Sequence, residues 1–172
     1  VDAGDHDPVR FWRHVAHTLD RVCAGVAEQV EPLLSSAGPS SDTVATTVVN
    51  ALMAEPADRM VVLDDYHLIE NEHVHDSFLF FLESAPPDLS VVVASRVDPP
   101  IPLARWRANG KLAEVRAGDL RFTTEEAANL LRGLVGPSSA LPDDAVATLA
   151  TRTEGWAAGL QLAALSLRGS AD

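Results

Sequence analysis

Two short runs of branched aliphatic residues constrain this chain more than any other feature: MVVL at residues 60–63 and VVV at 91–93. Neither run alternates apolar with polar residues, which is typical of strands in a parallel sheet that is covered on both faces. Residues 70–84, between the runs, carry apolar residues at helical spacing. The pattern therefore predicts a β-α-β crossover of about thirty residues, a usual size for this unit.

Further elements surround this unit. Residues 7–30 have apolar positions at intervals of three and four, which predicts one amphipathic helix with Asp7 as its N-cap and Pro8 at its first position. A second helix is expected over 42–54, and LAEVR at 112–116 is expected to be a third strand. The first part of the chain is thus predicted to be α/β, a parallel sheet with flanking helices.

The composition changes near Gly118, and no strand pattern follows residue 122. Thr123 and Glu126 have the spacing of a capping box ahead of a helix, and more helical patterns lead to the end of the chain. We therefore expect two parts: residues 1–117 form an α/β domain, and residues 118–172 form a small all-helical subdomain.

The overall charge limits the possible partners. The net charge of the 172 residues is −12, which argues against binding of nucleic acid or anionic lipid by this segment. One cysteine, Cys23, excludes an intramolecular disulfide and fits a reducing cytoplasm. No apolar run is long enough to span a bilayer, and no signal peptide is visible. Because the chain opens at Val1 without Met, we expect it to be a fragment.

Two adjacent acids, Asp64 and Asp65, follow the first aliphatic run, and Arg96 follows the second. Adjacent carboxylates cost free energy unless a cation or a hydrogen-bond network offsets their repulsion. Ligands of open parallel sheets bind at the carboxyl ends of the strands, where these three side chains would converge. The apolar run followed by two acids has the form of a Walker B motif, which serves Mg²⁺-dependent phosphoryl chemistry. A solvated turn is the alternative.

A nucleotide site of this type also needs a glycine-rich phosphate loop, GxxxxGK[ST], and this chain has none. The glycines before residue 38 are Gly4 and Gly25, and the sole lysine is Lys111. We therefore expect the phosphate loop to lie upstream of Val1, and the fold to be a partial P-loop NTPase-type sheet.

Several segments together resemble one protein family. They read VLDDYHLI, FFLESAP, SVVVASRVDPPIPLARWRANGKLAEVRAGDLRFTTEEAANLL and RTEGWAAGLQLAALSLRG, with GDHDPVRFW near the start. In this order they resemble the NB-ARC/STAND-like ATPase module of large LuxR-type transcriptional regulators. The resemblance covers nearly the whole chain.

The resemblance implies roles for single residues. Asp64 matches the Walker B acid that binds Mg²⁺ and nucleotide, and Asp65 matches the catalytic acid that acts on water. Arg96 matches the sensor arginine. Trp156 lies in a Gly-Trp-Ala segment where related switches carry Gly-Leu-Pro near the adenine, with Ala157 in place of the proline.

The resemblance also implies what the intact protein does. It would be a cytoplasmic switch that binds ATP or ADP with Mg²⁺, self-associates after an inducer and ATP act on it, and hydrolyses ATP slowly as a timer. DNA would bind only through a helix-turn-helix domain outside this segment. The inducer is not implied, and the fragment alone is not expected to bind nucleotide tightly.

Two other functions fit the residues. A metal-dependent hydrolase could use Asp64 and Asp65, and a ligand-free interaction module would leave them as a solvated turn. For Tyr66 and His67 we expect turn or packing roles rather than chemistry. Packing in the core or at a domain interface is likewise the simpler interpretation of all three tryptophans, which are Trp12, Trp106 and Trp156.

Overall fold

The computed structural model describes residues 1–35, 40–135 and 141–169. The chain divides into two compact units, Val1–Leu103 and Ala104–Asp172, and each unit has its own apolar core. The composition change near Gly118 falls inside the second unit. Across the described part of the chain, no helix has the length and apolar character needed to cross a membrane.

The first unit combines helices with a two-stranded sheet. Its helices and strands, in chain order, are α1 (Pro8–Asp20), α2 (Val26–Ser35), α3 (Ser41–Ala54), β1 (Arg59–Leu63), α4 (Glu72–Ser84) and β2 (Leu89–Val93). Short 3₁₀ turns at Ala3–His6 and Tyr66–Leu68 precede α1 and follow β1.

The strands β1 and β2 are parallel neighbours, in a register that runs from Arg59 opposite Leu89 to Leu63 opposite Val93. The helix α4 connects them, starting after its N-cap Asn71. The predicted β-α-β unit is therefore confirmed, and with it the α/β fold class.

The sheet is covered differently from the prediction. In β1, Val61 and Leu63 face the core, whereas Met60 and Val62 are 65% and 58% exposed. Within the described residues, the helices of this unit cover one face of the sheet only. The prediction of a sheet buried on both faces is therefore wrong for this structure, because the apolar run identifies residues able to be buried but not what buries them.

The predicted helix over residues 7–30 is two helices. Asp7 caps α1, as expected, by accepting a hydrogen bond from the Val9 amide. The break before α2 contains Gly25, whose φ of +87° lies in the left-handed region that glycine tolerates. The Asp20 carboxylate accepts the amide of Ala27 at 3.1 Å, so a side chain takes up one of the free amides that begin α2. Apolar spacing runs through this break and hides it.

An aromatic cluster fills the core of the first unit. Phe11 and Trp12 of α1 pack edge to face with Phe78 and Phe81 of α4, and Tyr66 packs beside Phe78. The Trp12 indole nitrogen donates to Ser77 Oγ at 3.0 Å, which satisfies its one polar atom in the core. The packing role predicted for Trp12 is confirmed.

The second unit consists of helices in its described part. The helix α5 (Leu103–Ala108) begins at the last residue of the first unit, and α6 (Thr124–Val135), α7 (Asp143–Arg152) and α8 (Ala157–Gly169) follow it. The capping box is confirmed: the Glu126 carboxylate accepts the Thr123 amide at 2.8 Å, and Thr123 Oγ1 accepts the Glu126 amide at 3.3 Å. The described part of this unit therefore contains helices and no strand, as the predicted fold class requires, and the predicted boundary between residues 117 and 118 stays a prediction.

The third predicted strand, at residues 112–116, is absent. A strand needs a neighbour for its backbone groups, and the described part of this unit contains no other strand. Instead, Glu114 is held by two arginines, with Arg107 Nη2 at 2.7 Å and Arg116 Nη2 at 2.6 Å from Glu114 Oε1. The ion pairs fix this segment without a sheet.

Candidate functional site

The acid pair lies in a tight turn where β1 ends. Asp64 and Asp65 directly follow Leu63, and both are exposed. Asp65 adopts a left-handed backbone conformation, φ 55° and ψ 36°, which aspartate tolerates better than most residues. Its amide donates to Asp64 Oδ1 at 2.9 Å. Such backbone conformations are often found at binding sites.

The neighbouring strand holds this turn in place. The amide of Ala94 donates to the carbonyl of Leu63 at 2.9 Å, and the amide of Tyr66 donates to the carbonyl of Ala94 at 3.0 Å. The backbone ladder between the strands therefore continues across the acid pair. Asp64, Asp65 and the segment that leads to Arg96 lie at the same edge of the sheet.

Arg96 is exposed and makes no hydrogen bond or ion pair with any residue that the structure describes. Its guanidinium thus forms no direct ion pair with Asp64 or Asp65 in this structure. The structure joins the two strand ends, and the roles of the three side chains stay predictions.

Tyr66 anchors the turn to the core of the first unit. Its side chain is 1% exposed, and its hydroxyl lies 2.9 Å from Nδ1 of His75 on α4. Burial raises the pKa of Tyr66. Burial also lowers the pKa of His75, against a backbone hydrogen bond at Ile69 and the charges of Asp76 and Glu72. The packing role expected for Tyr66 is confirmed, and a neutral imidazole with its proton on Nε2 can accept a hydrogen bond from the phenol hydroxyl.

His67 follows Tyr66 in the same turn. Its Nδ1 atom is buried and has no hydrogen-bond partner among the described residues. Asp65 Oδ1 is 3.8 Å away, which is within ion-pair distance but beyond a hydrogen bond. Sequence reasoning assigned His67 to the turn but missed this pairing. The only signal was its position two residues after the second acid.

The start of the chain packs beside the turn. The Val1 nitrogen donates to the carbonyl of Asp64 at 3.0 Å, and Asn71 Nδ2 donates to the carbonyl of His6 at 2.8 Å. Asp5, which the sequence did not single out, is 1% exposed, and its Oδ1 lies 2.8 Å from His14 Nδ1. Val1 therefore contacts the acid turn itself, whereas His6 contacts the N-cap residue of α4 and Asp5 contacts α1.

Trp156 belongs to the second unit, where it is 45% exposed and therefore outside that unit's core. The residue before it, Gly155, has a φ of +73°. The Gly155 carbonyl accepts the amide of Phe122 at 2.8 Å, and a Cβ on Gly155 would lie 2.5 Å from the Phe122 carbonyl oxygen. The close contact between Gly155 and Phe122 fixes the backbone around Trp156. The place of the Trp156 side chain near an adenine stays a prediction.

Asp64 is the acid for which the resemblance implies Mg²⁺ binding. No group of three or more histidine, cysteine or acidic residues able to hold a metal occurs in the described ranges. Asp64 Oδ1 is occupied by the Asp65 amide, and its second oxygen accepts no hydrogen bond from a described residue. Mg²⁺ binds through one or two carboxylates, water and substrate phosphates, so an exposed carboxylate with one open oxygen fits its requirements.

Comparison with known proteins gives a consistent set of relatives. The chain is 35% identical over 173 residues to the serine/threonine-protein kinase PknK of Mycobacterium tuberculosis, covering 100% of this chain and 15% of that protein. It is 33% identical over 166 residues to the HTH-type transcriptional regulator MalT of Vibrio parahaemolyticus, with 96% and 18% covered. For MalT of Serratia proteamaculans the values are 32% over 175 residues, 99% and 19%. No protein-family model matches the chain.

The resemblance to a segment of LuxR-type regulators is confirmed. The similarity to MalT extends along 96% to 99% of this chain. The chain spans only 15% to 19% of the length of these relatives.

Proposed function

We propose that this chain is part of an ATP/ADP-dependent switch in a LuxR-type transcriptional regulator. In this proposal it supplies the Walker B acids and the sensor arginine, while a phosphate loop elsewhere in the protein grips the nucleotide. The observation that carries the proposal is the parallel pairing of β1 with β2, since it brings the acid pair and the segment that leads to Arg96 to one sheet edge.

Each residue at this edge has a separate task in the proposal. Asp64 would hold Mg²⁺ through its open carboxylate oxygen, and the bound ion would offset phosphate charge. Asp65, held in its left-handed turn, would orient the attacking water. Arg96 would contact the terminal phosphate, because its guanidinium has no partner among the described residues that would have to be displaced.

The relatives support a regulatory role rather than a particular output. The same segment occurs in a protein named as a kinase and in proteins named as HTH-type regulators. A module common to both is more simply explained as a control element than as the kinase or the DNA-binding part. In the intact cytoplasmic protein, self-association would follow nucleotide exchange, an inducer would trigger it, and DNA would bind through another domain.

Arg96 gives the test of this switch. In the full-length protein that carries this chain, Arg96→Ala should reduce the preference for ATP over ADP, as measured by titration calorimetry. Arg21→Ala is the matched control, because Arg21 is also exposed but lies beside Val22, whose carbonyl accepts a bond from Arg59 at the opposite end of β1. Unchanged ATP and ADP affinities in Arg96→Ala would contradict the sensor assignment, and absent nucleotide binding in the parent would contradict the proposed function.

A further inference from the structure

The imidazole of His67 lies within ion-pair distance of the Asp65 carboxylate. The 3₁₀ turn fixes the backbone on both sides of it, with the Leu68 amide bonded to the Asp65 carbonyl at 3.0 Å and the Ile69 amide bonded to the Tyr66 carbonyl at 3.1 Å. The side chain is 15% exposed. Its position is therefore set by the turn rather than by solvent.

A buried ring nitrogen without a partner is uncommon in folded proteins and calls for an explanation. Water or an unfilled cavity could provide one. The carboxylate of Asp65 provides a more specific one, because Asp65 Oδ1 lies 3.8 Å from His67 Nδ1 and accepts no hydrogen bond from a described residue. The Asp65 side chain is 51% exposed and can rotate.

We propose that His67 is the positioning residue for Asp65: in the nucleotide-bound protein, His67 Nδ1–H donates to the Asp65 carboxylate and fixes its orientation toward water. This inference rests on the proposed function, because it assumes that Asp65 acts on water. A movement of about 1 Å brings the two atoms from their present separation to hydrogen-bond distance.

The closed contact accounts for both unusual features of the turn. It satisfies the buried Nδ1 atom, which requires that Nδ1 carries a proton. It also restricts the Asp65 carboxylate to one direction while leaving the second oxygen available to accept from a water molecule. Because the backbone of Asp65 is already fixed by the ladder to Ala94, the side-chain torsions are the remaining freedom that His67 removes.

Three substitutions at His67 separate positioning from simple structural support. Asparagine puts an amide near the place of Nδ1, glutamine puts it near the place of Nε2, and alanine removes both. In the full-length protein, His67→Ala and His67→Gln should lower kcat for ATP hydrolysis about tenfold. This is the lower end of the loss found when a residue that orients a functional side chain is removed. Affinity for Mg-ADP, measured by calorimetry, should not change, and His67→Asn should retain most of the activity.

A double substitution tests whether the effect passes through Asp65. In an Asp65→Asn background, His67→Ala should cause no further loss of activity, because the group that it positions is already gone. Additive losses, or equal losses in His67→Asn and His67→Gln, would overturn the inference. If His67→Ala does not fold, the difference in activity between His67→Asn and His67→Gln tests the inference.

A readout without turnover completes the experiment. With histidine labelled in ¹⁵N and Mg-ADP bound, the Nδ1 signal of His67 should shift when Asp65 is changed to asparagine, and the signal is assigned by its loss in His67→Asn. An unchanged signal would overturn the inference. If Asp65→Asn hydrolyses ATP like the parent, the proposed role of Asp65 is wrong. If Asp65→Asn loses activity but His67→Ala does not, only the positioning role of His67 is wrong.

Discussion

The amide of Tyr66 donates to the carbonyl of Ala94 at 3.0 Å. Tyr66 directly follows the acid pair in the turn after β1, and Ala94 lies two residues before Arg96 in the segment after β2. This single bond ties the acid turn to the neighbouring strand. Because Tyr66 is also buried and bonded to His75 on α4, the turn is held by both the sheet and the helix.

The hydroxyl of Tyr66 should stabilise the first unit. Tyr66→Phe keeps the ring but leaves His75 Nδ1 without its 2.9 Å partner. We expect the free energy of unfolding to fall by about 1–2 kcal/mol, as for one partly buried hydrogen bond. Urea denaturation measures it, with His73→Ala as the control, since His73 is an exposed residue of the same helix. Equal stability of Tyr66→Phe and parent would show that this bond contributes nothing.

His75 should make stability depend on pH. Burial lowers its pKa in the folded protein from the ordinary 6.5, so the unfolded chain takes up a proton first as the pH falls. This contribution to stability is therefore complete above about pH 6.5 and is lost as the pH falls through the lower folded value. His75→Gln should remove it, so that parent and variant differ less at acidic than at neutral pH in unfolding experiments. A difference that grows on acidification would contradict the sign.

Gly155 should tolerate no side chain. Gly155→Ala places a Cβ 2.5 Å from the Phe122 carbonyl oxygen at a φ of +73°, so both contact and conformation oppose it. We expect a loss of about 2–4 kcal/mol in the second unit, which combines a backbone clash with left-handed strain. The control is Gly133→Ala in α6, where a Cβ meets nothing within 4 Å and helix propensity favours alanine. Thermal unfolding that ranks the two variants equally would refute this account.

Arg59 should stabilise the first unit through its buried guanidinium, which also lies 3.9 Å from the Asp88 carboxylate. It is 8% exposed and donates to the carbonyls of Val22, Leu52 and Glu55, the last two near the end of α3. Arg59→Met preserves much of the length and leaves these carbonyls unpaired, at a cost of about 2–3 kcal/mol.

The matched control for Arg59 is Arg13→Met. Arg13 forms an exposed pair with Glu31 at 3.0 Å, and such pairs contribute at most about 1 kcal/mol. Denaturant titration compares the two variants. A loss at Arg13 as large as that at Arg59 would contradict the argument from burial.

Much of this fold could be predicted from local sequence patterns. The β-α-β unit followed from two unbroken aliphatic runs and a helical spacing between them, and the Asp7 cap and the Thr123–Glu126 box followed from side chains that satisfy free helix amides. These features depend on residues close together in the chain.

The predictions that failed depend on partners elsewhere in the chain or on a backbone conformation. The strand expected at 112–116 needed a neighbouring strand that its own residues cannot reveal, and Met60 and Val62 carry a burial signal without a partner that covers them. The break in the first helix depends on the left-handed φ of Gly25, which apolar periodicity ignores.

The candidate site shows the same division. The sequence placed Asp64, Asp65 and Arg96 at strand ends, and the structure joins those ends. The unpartnered Nδ1 of His67 and the burial of Asp5 depend on how the turn and the first residues pack in three dimensions, so no motif indicated them.

The most direct test of the switch is the Mg²⁺ dependence of nucleotide binding in the full-length protein, with Asp64→Ala compared with Asp58→Ala. Asp58 is an exposed acid at the opposite end of β1, directly before Arg59. The account predicts that Mg²⁺ tightens nucleotide binding in the parent and in Asp58→Ala, and that Asp64→Ala loses this gain. Nucleotide binding with the same Mg²⁺ dependence in all three proteins, or no nucleotide binding by the parent, would contradict it.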